Sequence, residues 1–118
     1  MAVTVLIVDD HPSFRASART LLEAEGYEVV GEAEDGETGV EAAQRLHPDL
    51  VLLDVQLPGI DGFHVADQLR KLEDPPIVIL TSSRDGADYG PCIGMCGAHG
   101  FVPKADLSGA AIAALLVA

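Results

Sequence analysis

Residues 50–54 read Leu-Val-Leu-Leu-Asp. Four aliphatic side chains follow one another without a polar break, and a lone carboxylate closes the run. Alternating polarity marks a strand with one wet face, whereas a short unbroken aliphatic run marks a strand covered on both faces. A sheet of such strands must carry helices above and below, and 118 residues are enough for one domain of that kind with a buried core. Asp54 stands where the strand gives way to a loop, Val55 to Gly62, whose Pro58 and Gly59 supply turns and whose Asp61 is a good helix N-cap.

The same pattern recurs along the chain. Val3–Val8 reads as a first buried strand that stops at Asp9-Asp10, and Glu28–Ala33 as a second, more exposed one. Ile77–Leu80 is a fourth buried strand ending at Thr81, and Gly100–Pro103 a short fifth followed by Lys104. Pro103 cannot donate to a ladder, so the fifth strand belongs at an edge. Between the strands lie helical stretches. Pro12 opens the first, with Phe14, Ala18, Leu21 and Leu22 on one face and Gly26 at its end. The second runs through Val40, Ala43, Gln44 and Leu46 to Pro48, and the third carries Phe63, Val65, Ala66, Leu69 and Leu72. The fourth, from Asp85 to Gly97, contains Gly86, Gly90, Pro91, Gly94 and Gly97 and is expected to be irregular or mobile. A last apolar helix runs from about Ser108 to the end. Strand and helix alternate five times, which predicts an α/β fold with a doubly wound parallel sheet, whose ligands bind at the carboxyl ends of the strands.

Composition excludes some functions. Acidic residues number 19 against 7 basic, a formal charge of -12, which opposes nucleic-acid or anionic-membrane binding by this chain. No apolar run reaches the roughly 18 residues of a membrane span. Cys92 and Cys96 lie one helical turn apart, lack a second ligand pair for zinc and read as small buried hydrophobes. Without a signal peptide or cysteine framework, a cytoplasmic location is expected.

The strand ends carry the chemistry. Asp9 and Asp10 follow the first strand, Asp54 the third, Thr81 the fourth and Lys104 the fifth. Converging carboxylates raise one another's pKa, and a divalent cation relieves them; a small oxygen-only set completed by water suits Mg²⁺. An ionised Asp can attack phosphorus to give an aspartyl phosphate, whose oxygens need Mg²⁺, a cation such as Lys104 and a donor such as Thr81.

On Asp9-Asp10, Asp54 with Leu57-Pro58-Gly59 and Asp61-Gly62, Thr81, Phe101 and Lys104, the whole chain resembles the receiver domains of two-component response regulators. Asp9-Asp10-His11-Pro12 and Val30-Gly31-Glu32-Ala33 resemble the subclass usually joined to a helix-turn-helix output domain. The resemblance implies a (βα)5, flavodoxin-like topology with strand order 2-1-3-4-5 over residues 1–118. It implies that Asp54 accepts a phosphoryl group from a histidine kinase, and that Asp9, Asp10, Asp54 and the backbone carbonyl of Gln56 hold Mg²⁺. It further implies that Lys104 pairs with the phosphoryl oxygens, that Thr81 and Phe101 switch on phosphorylation, and that the face of the fourth helix, fifth strand and fifth helix then engages a second copy or an output protein.

The chain departs from the family pattern after the lysine. Proline usually follows it, often through a cis bond; here Ala105 follows and Pro103 precedes, and a cis bond before Ala105 would cost roughly 3 kcal/mol. The chain ends within an apolar helix, so a stand-alone receiver or one trimmed from a longer regulator is expected. An Mg²⁺-dependent phosphatase with an Asp nucleophile needs a second Asp two positions on, where Gln56 stands and cannot transfer a proton, so an enzyme is not expected. A flavin carrier of similar topology needs a hydroxyl-rich phosphate loop in place of Asp9-Asp10-His11-Pro12. The remaining alternative is a docking module of the same fold that works without phosphorylation. His11, His47, His64 and His99 are scattered and given no catalytic role; His11 beside two acids could serve as a metal ligand, but next to a helix started by Pro12 it is expected to face solvent.

Overall fold

The computed structural model describes residues 3–82 and 98–116. Its strands are β1 (Thr4–Val8), β2 (Glu28–Ala33), β3 (Leu50–Asp54), β4 (Ile77–Ser82) and β5 (Gly100–Pro103). Its helices are α1 (Pro12–Ala24), α2 (Gly36–Leu46), α3 (Gly62–Arg70) and α4 (Gly109–Leu116), the last being the fifth expected from the sequence. All strand pairs are parallel, in the order β2-β1-β3-β4-β5. The order reverses between β1 and β3, where a crevice opens at the carboxyl ends.

The unbroken aliphatic strands serve two cores at once, because successive side chains leave opposite faces. Leu6, Val8, Val51, Leu53, Val78 and Leu80 pack with Ala42 and Ala43 of α2 and Val65, Ala66 and Leu69 of α3. Val5, Ile7, Leu50, Leu52 and Ile79 pack on the other face with Ala18 and Leu22 of α1 and Ile112 of α4. Both faces of β3 are covered, so all five of its residues, Asp54 included, are buried.

Local signals set the boundaries. Pro12 stands at the start of α1. Asp61 caps α3 by accepting a hydrogen bond from the His64 amide at 2.9 Å, and the Ser108 hydroxyl accepts one from the Ala111 amide at 3.0 Å ahead of α4. Pro103 lies on the edge strand, opposite Ser82.

Several expectations need correction. On α2 Ala42 joins Ala43 in the core, and Gln44 is exposed. The helix ends on His47 in the left-handed conformation, φ 49°, before Pro48 is reached. α3 stops at Arg70, so Leu72 packs on the core from the turn beyond it. β4 continues past Thr81 to a fully buried Ser82. The Lys104–Ala105 peptide is trans, and residues 104–106 form a short 3-10 turn. The irregular fourth helix and the Cys92/Cys96 pair fall outside the described residues. Among the described residues no helix is long and apolar enough to cross a membrane.

Candidate functional site

The parallel register lines up the strand ends. Val8 lies opposite Leu53, so Asp9 and Asp54 leave the sheet side by side, and Asp54 lies opposite Thr81. The Asp9 amide donates to the Ala33 carbonyl at 3.0 Å and the Val55 amide to the Thr81 carbonyl at 2.9 Å, which extends the ladder into both loops. The Gly62 amide donates to the Val55 carbonyl at 2.8 Å. Gly62 comes so close that a Cβ there would collide with the backbone of Asp54 and Val55, so only glycine lets α3 start against the end of β3.

Asp9 and Asp54 are 0% and 1% exposed. Oδ1 of Asp54 accepts the Gln56 amide at 3.1 Å, and its Oδ2 lies 3.4 Å from the Lys104 ammonium. Oδ1 of Asp9 accepts the His11 amide at 2.8 Å. Oδ2 of Asp9 is 2.8 Å from Lys104 Nζ as an ion pair, but off the hydrogen-bonding direction, so this buried oxygen has no hydrogen bond. Thr81 is fully buried and its hydroxyl likewise has no hydrogen-bond partner. Lys104 reaches the pair from the turn after β5, with its ammonium 4.4 Å from the centre of the Phe14 ring, a cation–π contact.

Burial pushes the Asp54 carboxyl above the ordinary carboxylate range. The Gln56 amide opposes that shift, the charge of Asp9 adds to it and Lys104 opposes it. One ammonium thus faces two buried carboxylates, with Asp10 nearby at a side-chain exposure of 36%.

A divalent cation fits this donor set. Asp9, Asp10, His11 and Asp54 each offer one ligand atom, all within 4.8 Å of one another, and Asp9 Oδ2, ion-paired to Lys104, accepts no hydrogen bond. Hard carboxylate oxygens of this kind suit Mg²⁺.

The structure brings together Asp9, Asp10, Asp54, Thr81 and Lys104 from the ends of β1, β3, β4 and β5. Phe101 stands apart in mid-β5, half-buried against the core shared by α2 and α3. Two further groups reach the site. Phe14 packs on the core as expected, and its ring also faces Lys104. His11 is 61% exposed, as expected, while its Nδ1 lies 3.1 Å from both Asp9 Oδ1, in a hydrogen bond, and Asp10 Oδ1. The adjacent acids were the available signal for His11; helical periodicity offered none for Phe14.

Residues 5–114 match the family described as the response regulator receiver domain. The DNA-binding transcriptional activator EvgA of Escherichia coli is 35% identical over 113 residues, which cover 96% of this chain and 55% of that protein. The transcription regulator BvgA of Bordetella pertussis is 41% identical over 101 residues, 85% of this chain and 48% of that protein. The chain thus spans about half the length of the curated relatives it matches. Among solved structures, the receiver domain of the response regulator NarL from Mycobacterium tuberculosis superposes with a TM-score of 0.86 at 34% identity, covering 98% of this chain and 97% of that one. A LuxR-family response regulator from Aurantimonas gives 0.87 at 29% identity, covering 99% and 87%. These regulators are in line with the helix-turn-helix subclass to which the sequence was likened. A match over most of the length, on the five-stranded sheet already described, assigns the chain to the response regulator receiver domains of two-component systems.

Proposed function

We propose that Asp54 accepts a phosphoryl group from the phosphohistidine of a histidine kinase. One observation carries this reading: a buried Asp54 carboxylate at the carboxyl edge of the sheet, with the Lys104 ammonium bridging it to Asp9. In the transfer an Asp54 oxygen forms a bond to phosphorus and the phosphorus–nitrogen bond breaks. The donor histidine keeps that electron pair and takes a proton, and Asp54 becomes an acyl phosphate. Mg²⁺ held by Asp9, Asp10, Asp54 and the Gln56 backbone carbonyl would neutralise charge on the phosphoryl oxygens.

The chain's own groups do the rest. Lys104 offers its ammonium to a phosphoryl oxygen beside Asp54 Oδ2. Thr81 offers a buried hydroxyl that has no other partner. Phe101 then repacks behind Thr81, and the face carrying β5 and α4 changes its affinity for an output protein or a second copy. Phosphorylation adds about −1.5 to −2 of charge at neutral pH, enough to bias a two-state equilibrium. No part of this needs a positive surface, and the chain itself is not proposed to grip DNA. The relatives are named as transcriptional regulators, and no catalysed turnover of an external substrate is proposed.

The test is intact mass after incubation with Mg²⁺ and acetyl phosphate, beside Asp54→Ala. A gain of one phosphoryl group in the parent protein and none in the variant is the expected result. No gain, with Mg²⁺ binding shown separately, would replace this reading by the phosphorylation-independent docking module.

A further inference from the structure

We infer that His11 is a nitrogen ligand of the cation site and turns its preference from Mg²⁺ toward the borderline divalent ions, of which Co²⁺ is representative. The inference rests on the reading of Asp9, Asp10 and Asp54 as the cation-binding set.

Three observations place the imidazole. His11 is the N-cap residue of α1, yet its side chain makes no capping hydrogen bond, so the ring is not engaged in helix initiation. Its Nδ1 lies 3.1 Å from Oδ1 of Asp9 and 3.1 Å from Oδ1 of Asp10. Adjacent ligands on an octahedral cation with bonds of about 2.1 Å sit about 3 Å apart, so the nitrogen, hydrogen-bonded to Asp9 Oδ1 in the absence of a cation, stands at neighbouring-ligand spacing from each of the two oxygens, within a set whose atoms all lie within 4.8 Å. The site also retains buried oxygens without hydrogen bonds, Asp9 Oδ2 and Thr81 Oγ1, which is independent of the histidine.

The chemistry sets the direction. Mg²⁺ sheds water reluctantly and favours oxygen, whereas imidazole suits ions later in the first transition row. A carboxylate-only site separates the two ions, equal in charge and close in size, less than a site with a nitrogen ligand does. Adding one imidazole nitrogen strengthens the hold on Co²⁺ and does little for Mg²⁺. The pair His64 and Asp61 makes a built-in control, since the His64 Nδ1 lies 2.9 Å from a single carboxylate oxygen, outside the site.

The experiment is calorimetric titration of the full chain with Co²⁺ and with Mg²⁺, in the parent protein, His11→Ala and His64→Ala. It is joined to x-ray absorption of the protein carrying one equivalent of Co²⁺. The expected result is imidazole scattering in the parent and in His64→Ala but not in His11→Ala. The preference for Co²⁺ over Mg²⁺ is expected to fall roughly tenfold in His11→Ala alone. Because His11 is exposed and makes no cap, the variant should fold, and its circular dichroism checks this. Binding of both ions with no imidazole scattering and equal preference in all three proteins would overturn the inference and leave the carboxylate site intact. Failure of the parent to bind either ion would overturn both.

Discussion

Asp54 is costly to the fold in the absence of a cation, and the sign follows from its burial. Its folded pKa lies above the ordinary value, first because it is buried and then because of the Coulombic effect of Asp9 beside it. An acid of this kind holds its proton longer in the folded chain than in the unfolded one. Stability is therefore greatest while the carboxyl is protonated and falls as pH rises through the folded value. Asp54→Asn keeps the shape and removes the charge while Lys104 keeps Asp9 as its partner, so at neutral pH without divalent ions it should stabilise the protein. Urea unfolding at pH 7 measures this, and the gap between variant and parent should close as pH is lowered toward the ordinary carboxylate range. Asp9, Asp54, Thr81 and Lys104 were legible because each stands at or just beyond the carboxyl end of a strand, and a parallel register delivers strand ends to one edge. The reach of Phe14 to Lys104 was not, and His11 carried a signal only in the two acids beside it, set against its place at the start of α1. Periodicity tells which helical positions share a face, but not that one ring on that face leans over a lysine from a distant strand.

At the scale of elements, two aspartates act with the opposite sign. Asp35 accepts the Thr38 amide at 2.9 Å at the start of α2, and that bond, with the Thr38 hydroxyl, holds its carboxyl below the ordinary range. At Asp61 partial burial acts upward, but the hydrogen bonds from His64 together outweigh it and the net shift is downward. Their stabilisation is present above the ordinary carboxylate range and is lost as pH falls through the lowered folded values. Asp61→Ala should cost about 1 kcal/mol through loss of the cap, read from urea unfolding at pH 7. Asp35→Asn keeps an amide acceptor while removing the titration, so its α2 signal in hydrogen exchange should lose acid sensitivity without losing protection at neutral pH. Gly62→Ala is a different kind of damage: the new methyl must displace backbone of Asp54 and Val55, costing about 2 kcal/mol or more and shifting the carboxylate itself. Caps such as Asp61 are readable because they precede helical patterns at fixed spacing. The left-handed His47 is not, since that position usually holds glycine or asparagine and the local sequence points only to Pro48 as the stop. Ala42 gives little signal for a related reason: a small residue carries little hydrophobicity, yet it is buried in the core that α2 shares with the sheet.

For the molecule as a whole, a parallel sheet with helices on both faces was legible because its central strands are aliphatic on both faces, which no one-sided sheet tolerates, whereas the strand order came from the family resemblance. The same order concentrates charge. A chain of net charge -12 brings three carboxylates to one crevice and gives them one ammonium among the described residues. Two effects of added salt on stability must then be separated. Any salt screens the diffuse repulsion of the acidic surface. A cation held in the crevice adds to that by mass action, since it binds the folded chain and finds no assembled site in the unfolded one. At one hundred times its dissociation constant this adds about 2.7 kcal/mol, several degrees in the melting midpoint of a domain this size. The expected outcome is that MgCl₂ raises the midpoint well beyond NaCl at matched ionic strength. Asp10→Asn should remove that excess while keeping the response to NaCl, because Asp10 is partly exposed and its loss leaves the sheet undisturbed. Equal midpoints in the two salts would mean that the crevice holds no cation and that the acidic residues act only through the general field of the chain.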